Sequence, residues 1–180
     1  MTRVRAALES DLPAIAEMTD DFVRNHPAAS HPRSIDKLRE ALFGAQPVAN
    51  VLVAVERDRL VGMIQWWRIF DMFWGTFGGK AEWLYVRPEC RGRAIAAMLV
   101  AEVCAQVRAA DGEFLYAGSN EPDVTALYDR VTQSWPQREH GLSAEAFQRV
   151  ADLAGASPSE IVRNLPSPEL NKVPASRRDR

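Results

Sequence analysis

Arg91, Gly92, Arg93, Ala94, Ile95 and Ala96 follow a strand pattern that ends at Val86 and Pro88, and they lead into an amphipathic helix. Helix starts expose unpaired backbone N–H groups and a partial positive charge, and both attract anions. Two arginines add to that charge, so a phosphate is the ligand this turn suggests; the plainer alternative is a basic helix start that only caps itself. Glu82, in "AEWLYV", is a carboxylate on a strand otherwise rich in apolar residues. Burial there would raise its pKa and suit it to act as a general base, whereas a neighbouring Lys or Arg would make it a structural ion pair. Asp71, inside the aromatic stretch "WWRIFDMFWGTF", is placed to steer a cationic amine. That stretch either lines an acceptor pocket, or buries the surface of a homodimer, or is an ordinary core strand running into a packed loop. Cys90 and Cys104 lack CxxC spacing, and His26, His31 and His140 show no ligand spacing, so no metal is expected.

These residues need elements to hold them, and 180 residues with 47% hydrophobic and 26% charged content suit one well-buried globular core. The formal charge of −2 argues against nucleic acid and against an anionic membrane as partners. No apolar run reaches the roughly 18 residues of a membrane span, and "MTRVRAALESD" lacks the apolar segment of a secretory signal, so the expected location is cytoplasmic. A strand is expected over residues 3–7, then a helix capped by Ser10 and running to Asn25, and a second helix from Ser34 to Phe43 that stops at Gly44. "NVLVAVERDRLVGMIQWW" reads as a hairpin turning at Glu56–Arg59, followed by an aromatic loop and the strand "KAEWLYV". The helix from Arg93 to Ala110 presents Ile95, Leu99, Val103 and Val107 on one face. The strand "EFLYAGS" and the helix "EPDVTALYDRV" come next, and a last strand is expected within Trp135–Leu142. Two short helices, Ser143–Leu153 and Pro158–Leu165, form a C-terminal extension, and a charged, proline-bearing tail begins at Pro166.

This order of elements, together with the turn, resembles the GNAT acyltransferase superfamily from about Arg3 to Leu142. The family's phosphate turn, (Q/R)xxGx(G/A) after a strand ending in valine and proline, is matched by Arg91, Ala94 and Ala96 after Val86 and Pro88, with Ala94 in place of the usual glycine. The resemblance implies an α/β (α+β) fold in which a mixed, mostly antiparallel central sheet is flanked by helices. It also implies acetyl-CoA as co-substrate. The pyrophosphate would sit on the N–H groups of residues 91–96, and the pantetheine arm beside Leu84, Tyr85 and Val86. Alanine adds only one methyl and tolerates helical dihedrals, so an adapted cradle is expected at Ala94, with Arg91 and Arg93 supplying charge.

Asn120 and Tyr128 in "SNEPDVTALYDRV" match the asparagine and tyrosine that members place after the fifth strand and on the following helix. The resemblance makes Asn120 a cofactor contact and Tyr128 a stabiliser of the departing thiolate; by itself Tyr128 also reads as a half-buried helix residue. A phenol of pKa about 10 is a weaker acid than a thiol of about 8.5. Glu82 matches the central-strand glutamate that serves some members as base. An alkylamine of pKa near 10.4 is neutral in only about one molecule in 2,500 at pH 7, a penalty of roughly 4.6 kcal/mol, so a proton acceptor is needed. The family's Gly-Phe after this helix is replaced by "DRVTQSW". The resemblance thus implies an N-acetyltransferase acting on a small-molecule or peptide primary amine, with a non-enzymatic acyl-CoA-binding module as the alternative.

Overall fold

The computed structural model describes residues 1–24, 34–118, 125, 149–154 and 157–165. The chain divides into two units, Met1–His26 with Arg33–Ser134, and Pro27–Pro32 with Trp135–Arg180. In the first, β1 (Arg3–Ala6) is followed by α1 (Leu12–Val23), α2 (Ile35–Phe43), β2 (Asn50–Glu56), β3 (Arg59–Asp71), β4 (Thr76–Val86), α3 (Ile95–Ala109) and β5 (Leu115–Ala117). The strands form one sheet in the order β1-β2-β3-β4-β5. All neighbours are antiparallel except β4 and β5, which pair in parallel because α3 carries the chain from the end of one to the start of the other. This is the mixed, mostly antiparallel sheet that the sequence leads one to expect.

Each face of the sheet has its own core. Leu52, Ala54, Val61, Ile64, Ala81 and Leu84 lie on the face covered by α3, which buries Ile95, Leu99, Val103 and Val107 against them. Burying a side chain of this size contributes roughly 1.5–3 kcal/mol, so these four positions hold α3 in place. Gly62 allows the close approach, since a Cβ there would meet Ile95 Cγ2 at 3.3 Å and Leu99 Cδ1 at 3.4 Å. On the other face Val51, Val53, Val55, Leu60, Met63 and Tyr85 pack against Ile15 and Met18 of α1, with Leu38 and Leu42 of α2 at the margin.

Local chemistry explains the element ends, including those that differ from expectation. Ser34 caps α2, its Oγ accepting from the Lys37 N–H at 3.3 Å, and Gly44 closes the helix by donating to the Glu40 carbonyl. Ser10 does not cap α1. It lies in a 3-10 turn over Glu9–Asp11, and the helix starts at Leu12, with Asp11 at the capping position. The Asp11 carboxylate accepts instead from the Leu8 N–H and, through both oxygens, from Arg5. The β2–β3 hairpin turns on Arg57 and Asp58, both left-handed, with φ of 47° and 64°. Such paired left-handed residues match the twist of the flanking strands.

The aromatic stretch expected as a loop is a continuation of the sheet. β3 and β4 stay paired as far as Asp71 and Thr76, and only the residues between them turn. Asp71 pins that turn: its carboxylate accepts from the Phe73 and Trp74 N–H groups and from the Tyr116 hydroxyl. The hydroxyl bond, foremost, lowers the Asp71 pKa.

In the second unit the described residues include α4 (Pro158–Asn164), started by the expected capping box. Ser157 Oγ accepts from the Glu160 N–H, and the Glu160 carboxylate accepts from the Ser157 N–H. Residues 149–151 are helical within the span expected as Ser143–Leu153. The strand expected within Trp135–Leu142 and the tail from Pro166 lie outside the described residues, and of the helix expected over 121–131 only Thr125 is described, in helical conformation. Among the described residues no helix is long and apolar enough to cross a membrane.

Candidate active site

β4 outruns its neighbour. Its pairing with β5 covers Gly79, Lys80 and Ala81, whereas β4 continues to Val86. Two residues beyond Ala81 the strand is bulged: Glu82 pairs with Gln65 and Tyr85 with Met63, leaving Trp83 and Leu84 opposite Ile64 alone. Trp83 has a φ of 57°, an uncommon conformation for a bulky side chain and one that collects at functional positions. Below the bulge the peptide groups alternate in direction. Arg87 donates to the Val61 carbonyl on the β3 side, so the peptide groups of Val86 and Leu84 face the opposite edge. Arg91 Nε reaches the Val86 carbonyl there at 3.1 Å. The result is a β4 edge, beside the β4–α3 turn, that no described strand covers beyond Ala81 and whose Val86 carbonyl is held by Arg91.

The turn itself has the form of an anion cradle. Gly92 and Ala94 are both left-handed, with φ of 73° and 60°. Residues of opposite hand in succession turn their N–H groups toward a common concavity. The N–H groups of Gly92, Arg93, Ala94 and Ile95 meet no acceptor among the described residues, and α3 begins without a side-chain cap. A group with several anionic oxygens fits this donor set. Two expectations are corrected. Ala94 is not in helical conformation; it holds the left-handed geometry for which glycine is the low-cost residue. Arg93 does not face the cradle unpaired, because its guanidinium bonds Glu56 at 2.5 Å. Glu56 also accepts from the Thr2 hydroxyl, and these two donors lower its pKa.

The remaining expected residues are distributed around the bulge. Leu84 and Val86 turn their side chains to the α3 face, while Tyr85 is buried on the α1 face, which raises its phenol pKa. Ile95 is buried and Ala96 half-buried at the first turn of α3. Glu82 is not enclosed by apolar groups: it is 36% exposed and paired with Lys80 at 2.9 Å. Asp71 keeps its charge but holds it at the hairpin turn, bonded to three neutral donors. Asn120 and Tyr128 lie outside the described residues.

A pocket of about 290 Å³ opens on the α1 side of the bulge. Ile15 and Thr19 of α1, Leu38 of α2, Val51 and Met63 line it, and Gln65 and Trp83 complete the wall. The sequence reading passed over Gln65 and Trp83. Their signal was a break in alternation: strict alternation would put Ala81 and Leu84 on opposite faces, yet both are apolar and both pack toward α3. Among the described residues no cluster of His, Cys, Asp or Glu could hold a metal ion.

A model of the acetyltransferase (GNAT) family matches residues 15–131, well over half of the chain. The chain belongs to the GNAT family. Its fold is shared with the ribosomal-protein-alanine N-acetyltransferase of Brucella melitensis biovar Abortus 2308, at a TM-score of 0.64 and 18% identity, covering 79% of this chain and 98% of that one. An aminoglycoside acetyltransferase from an uncultured soil metagenomic sample, solved with sisomicin, superposes with a TM-score of 0.63 at 17% identity over 79% of this chain and 95% of its own. A Trypanosoma brucei acetyltransferase gives 0.61 at 18% identity, with 79% and 99% covered. No curated protein sequence matches. The matched residues 15–131 of this GNAT chain include the bulged β4 and the uncapped start of α3.

Proposed function

We propose that this protein is an N-acetyltransferase that moves the acetyl group of acetyl-CoA to a primary amine within a ternary complex. The observation that carries the proposal is the continuity of two backbone surfaces: the edge of β4 at Leu84 and Val86, which no described strand covers, and the N–H groups from Gly92 to Ile95, which meet no acceptor among the described residues. Together they offer donors to an extended chain of amides ending in a pyrophosphate. Arg91, tied through Nε to Val86, leaves its remaining guanidinium donors toward the same end. Asn120 would extend the cofactor contacts. Acetyl-CoA supplies the activated acyl group.

The chain's own residues divide the rest of the work. Backbone donors on β4 would hold the carbonyl oxygen as it gains charge. Glu82, the cross-strand neighbour of the pocket residue Gln65, is the proposed proton acceptor for the ammonium group, directly or through one water. Its carboxylate is paired with Lys80 at 2.9 Å and remains 36% exposed, open to an incoming ligand or water. The nitrogen lone pair forms the C–N bond as the C–S bond breaks and the electron pair leaves on sulfur; of the two protons the ammonium loses, one passes to solvent and the other ends on the departing sulfur as free thiol. Tyr128 is assigned to donate a hydrogen bond to that thiolate. That solved relatives are named as a ribosomal-protein-alanine N-acetyltransferase and as aminoglycoside acetyltransferases supports an amine acceptor.

Acetyl-CoA at a hundred times its dissociation constant should stabilise the chain by about 2.7 kcal/mol, a melting shift of several degrees. No shift at millimolar acetyl-CoA would refute the cofactor assignment.

A further inference from the structure

The pocket between α1, α2 and the bulge says more about the acceptor than that it is an amine. Its volume of about 290 Å³ lies at the lower edge of the range of roughly 300–1,000 Å³ that holds drug-sized ligands. It has room for a one-ring body and not for several linked sugars. None of its described lining residues carries a charge. The carboxylate nearest in register, Glu82 opposite Gln65, is already shared with Lys80. A polycation seated among these described lining residues would lose hydration at several ammonium groups with no counter-charge from them. A single ammonium at the rim, with an apolar body inside, meets no such penalty.

Two lining residues narrow the class. Trp83 keeps its left-handed backbone with its ring tilted against Phe22, centroids 5.2 Å apart, and is 39% exposed, so the indole offers free surface at the pocket wall. That surface favours a flat or cyclic apolar body through area and offset stacking. Gln65 supplies an amide, both donor and acceptor, that makes no hydrogen bond to any described residue and stands among Met63, Val51 and Leu38. It suits one neutral polar substituent on the body.

From this we infer that the acceptor is a small monoamine on an aromatic-sized apolar body, optionally bearing one hydroxyl, and not a polycationic amino sugar. The amine part rests on the acetyltransferase proposal, whereas the body rests on the pocket alone.

Calorimetric titration of the full chain, without coenzyme, with 2-phenylethylamine, tyramine and kanamycin tests the body. Both arylalkylamines should bind saturably and kanamycin should not. Leu38→Trp, which fills the pocket from the half-buried rim, should weaken 2-phenylethylamine by about tenfold or more while leaving the melting shift by acetyl-CoA unchanged. Gln65→Leu should weaken tyramine by about fivefold to tenfold, the worth of one hydrogen bond, and spare 2-phenylethylamine. Kanamycin binding as tightly as the arylalkylamines, absence of saturable arylalkylamine binding at millimolar concentration, or an unchanged affinity in Leu38→Trp would each overturn the inference. Failure of the acetyltransferase proposal would show elsewhere, as no acetyl-CoA shift and no thiol released with any amine.

Discussion

Replacing Ala94 with glycine should make this protein more stable, against the usual effect of glycine at a helix boundary. Ala94 sits at φ 60° and ψ 14° immediately before Ile95, the first residue of α3. The left-handed conformation costs an L-residue roughly 1–2 kcal/mol through contact of Cβ with the backbone. Glycine removes that cost but adds flexibility to the unfolded chain, a penalty of about 0.4–1 kcal/mol. The difference leaves a net gain of about 0.5–1 kcal/mol. For a chain of this size that corresponds to about 1–4 °C in melting temperature. Ala101→Gly, at an exposed position within the same helix, is the internal control and should lose about 1 kcal/mol. Thermal and urea melts of the two variants beside the wild type give the comparison. The same change also removes a methyl from the cradle, so acetyl-CoA affinity should hold or rise in Ala94→Gly and fall in Ala94→Leu. If Ala94→Gly destabilises as much as Ala101→Gly, the left-handed assignment and the reasoning built on it are wrong.

Three further outcomes are expected. The bidentate bond from Arg5, foremost, and the Leu8 N–H hold the Asp11 pKa below its ordinary value against the opposing effect of burial. The associated stability is therefore full above the unfolded pKa of about 3.9 and is lost as pH falls through the lower folded value; Asp11→Asn should cost about 2–3 kcal/mol at pH 7 and flatten the acid limb of a Tm-against-pH plot. Arg87, 7% exposed, donates to the Leu60 carbonyl and to Glu17, so Arg87→Ala should lose about 2–4 kcal/mol in urea melts, and a loss under 1 kcal/mol would show that this tie between β4, β3 and α1 is dispensable. Tyr128→Phe should lower kcat by about tenfold to a thousandfold with acetyl-CoA affinity near wild type; wild-type turnover would remove Tyr128 from the mechanism, and a large fall in Tm would make it structural.

Elements whose signal is local were legible in the sequence. The four apolar residues of α3 recur at helical spacing and all four are buried, and Ser34 caps α2 through its own side chain, needing no distant partner. Ser10 misled because its neighbour Asp11 has a long-range partner, Arg5, that fixes the chain before the helix begins. The aromatic stretch expected as a loop continues β3 and β4, and β4 includes Gly78 and Gly79. Their reason is tertiary: a Cβ at Gly78 would lie 2.5 Å from the Phe114 ring, and one at Gly79 2.6 Å from Val107. The β4–α3 turn could be located by motif, but its backbone hand could not, since alanine at 94 gives no sign of a left-handed residue. Trp83 and Gln65 were hidden for a related reason. Their shared wall exists only because the bulge shifts register by one residue, and a strand pattern read in strict alternation does not contain that shift.

The central claim is acetyl transfer to an amine, and the direct measurement is product stoichiometry. With saturating acetyl-CoA and 2-phenylethylamine or a wider panel of primary amines, free thiol and N-acetylated amine are quantified together by thiol titration and mass spectrometry. The account predicts the two rising with equal molar yield, at a rate proportional to protein. Acetyl-CoA that binds and shifts the melting temperature while neither thiol nor acetylated amine appears with any acceptor would contradict it, and would leave an acyl-CoA-binding module in its place.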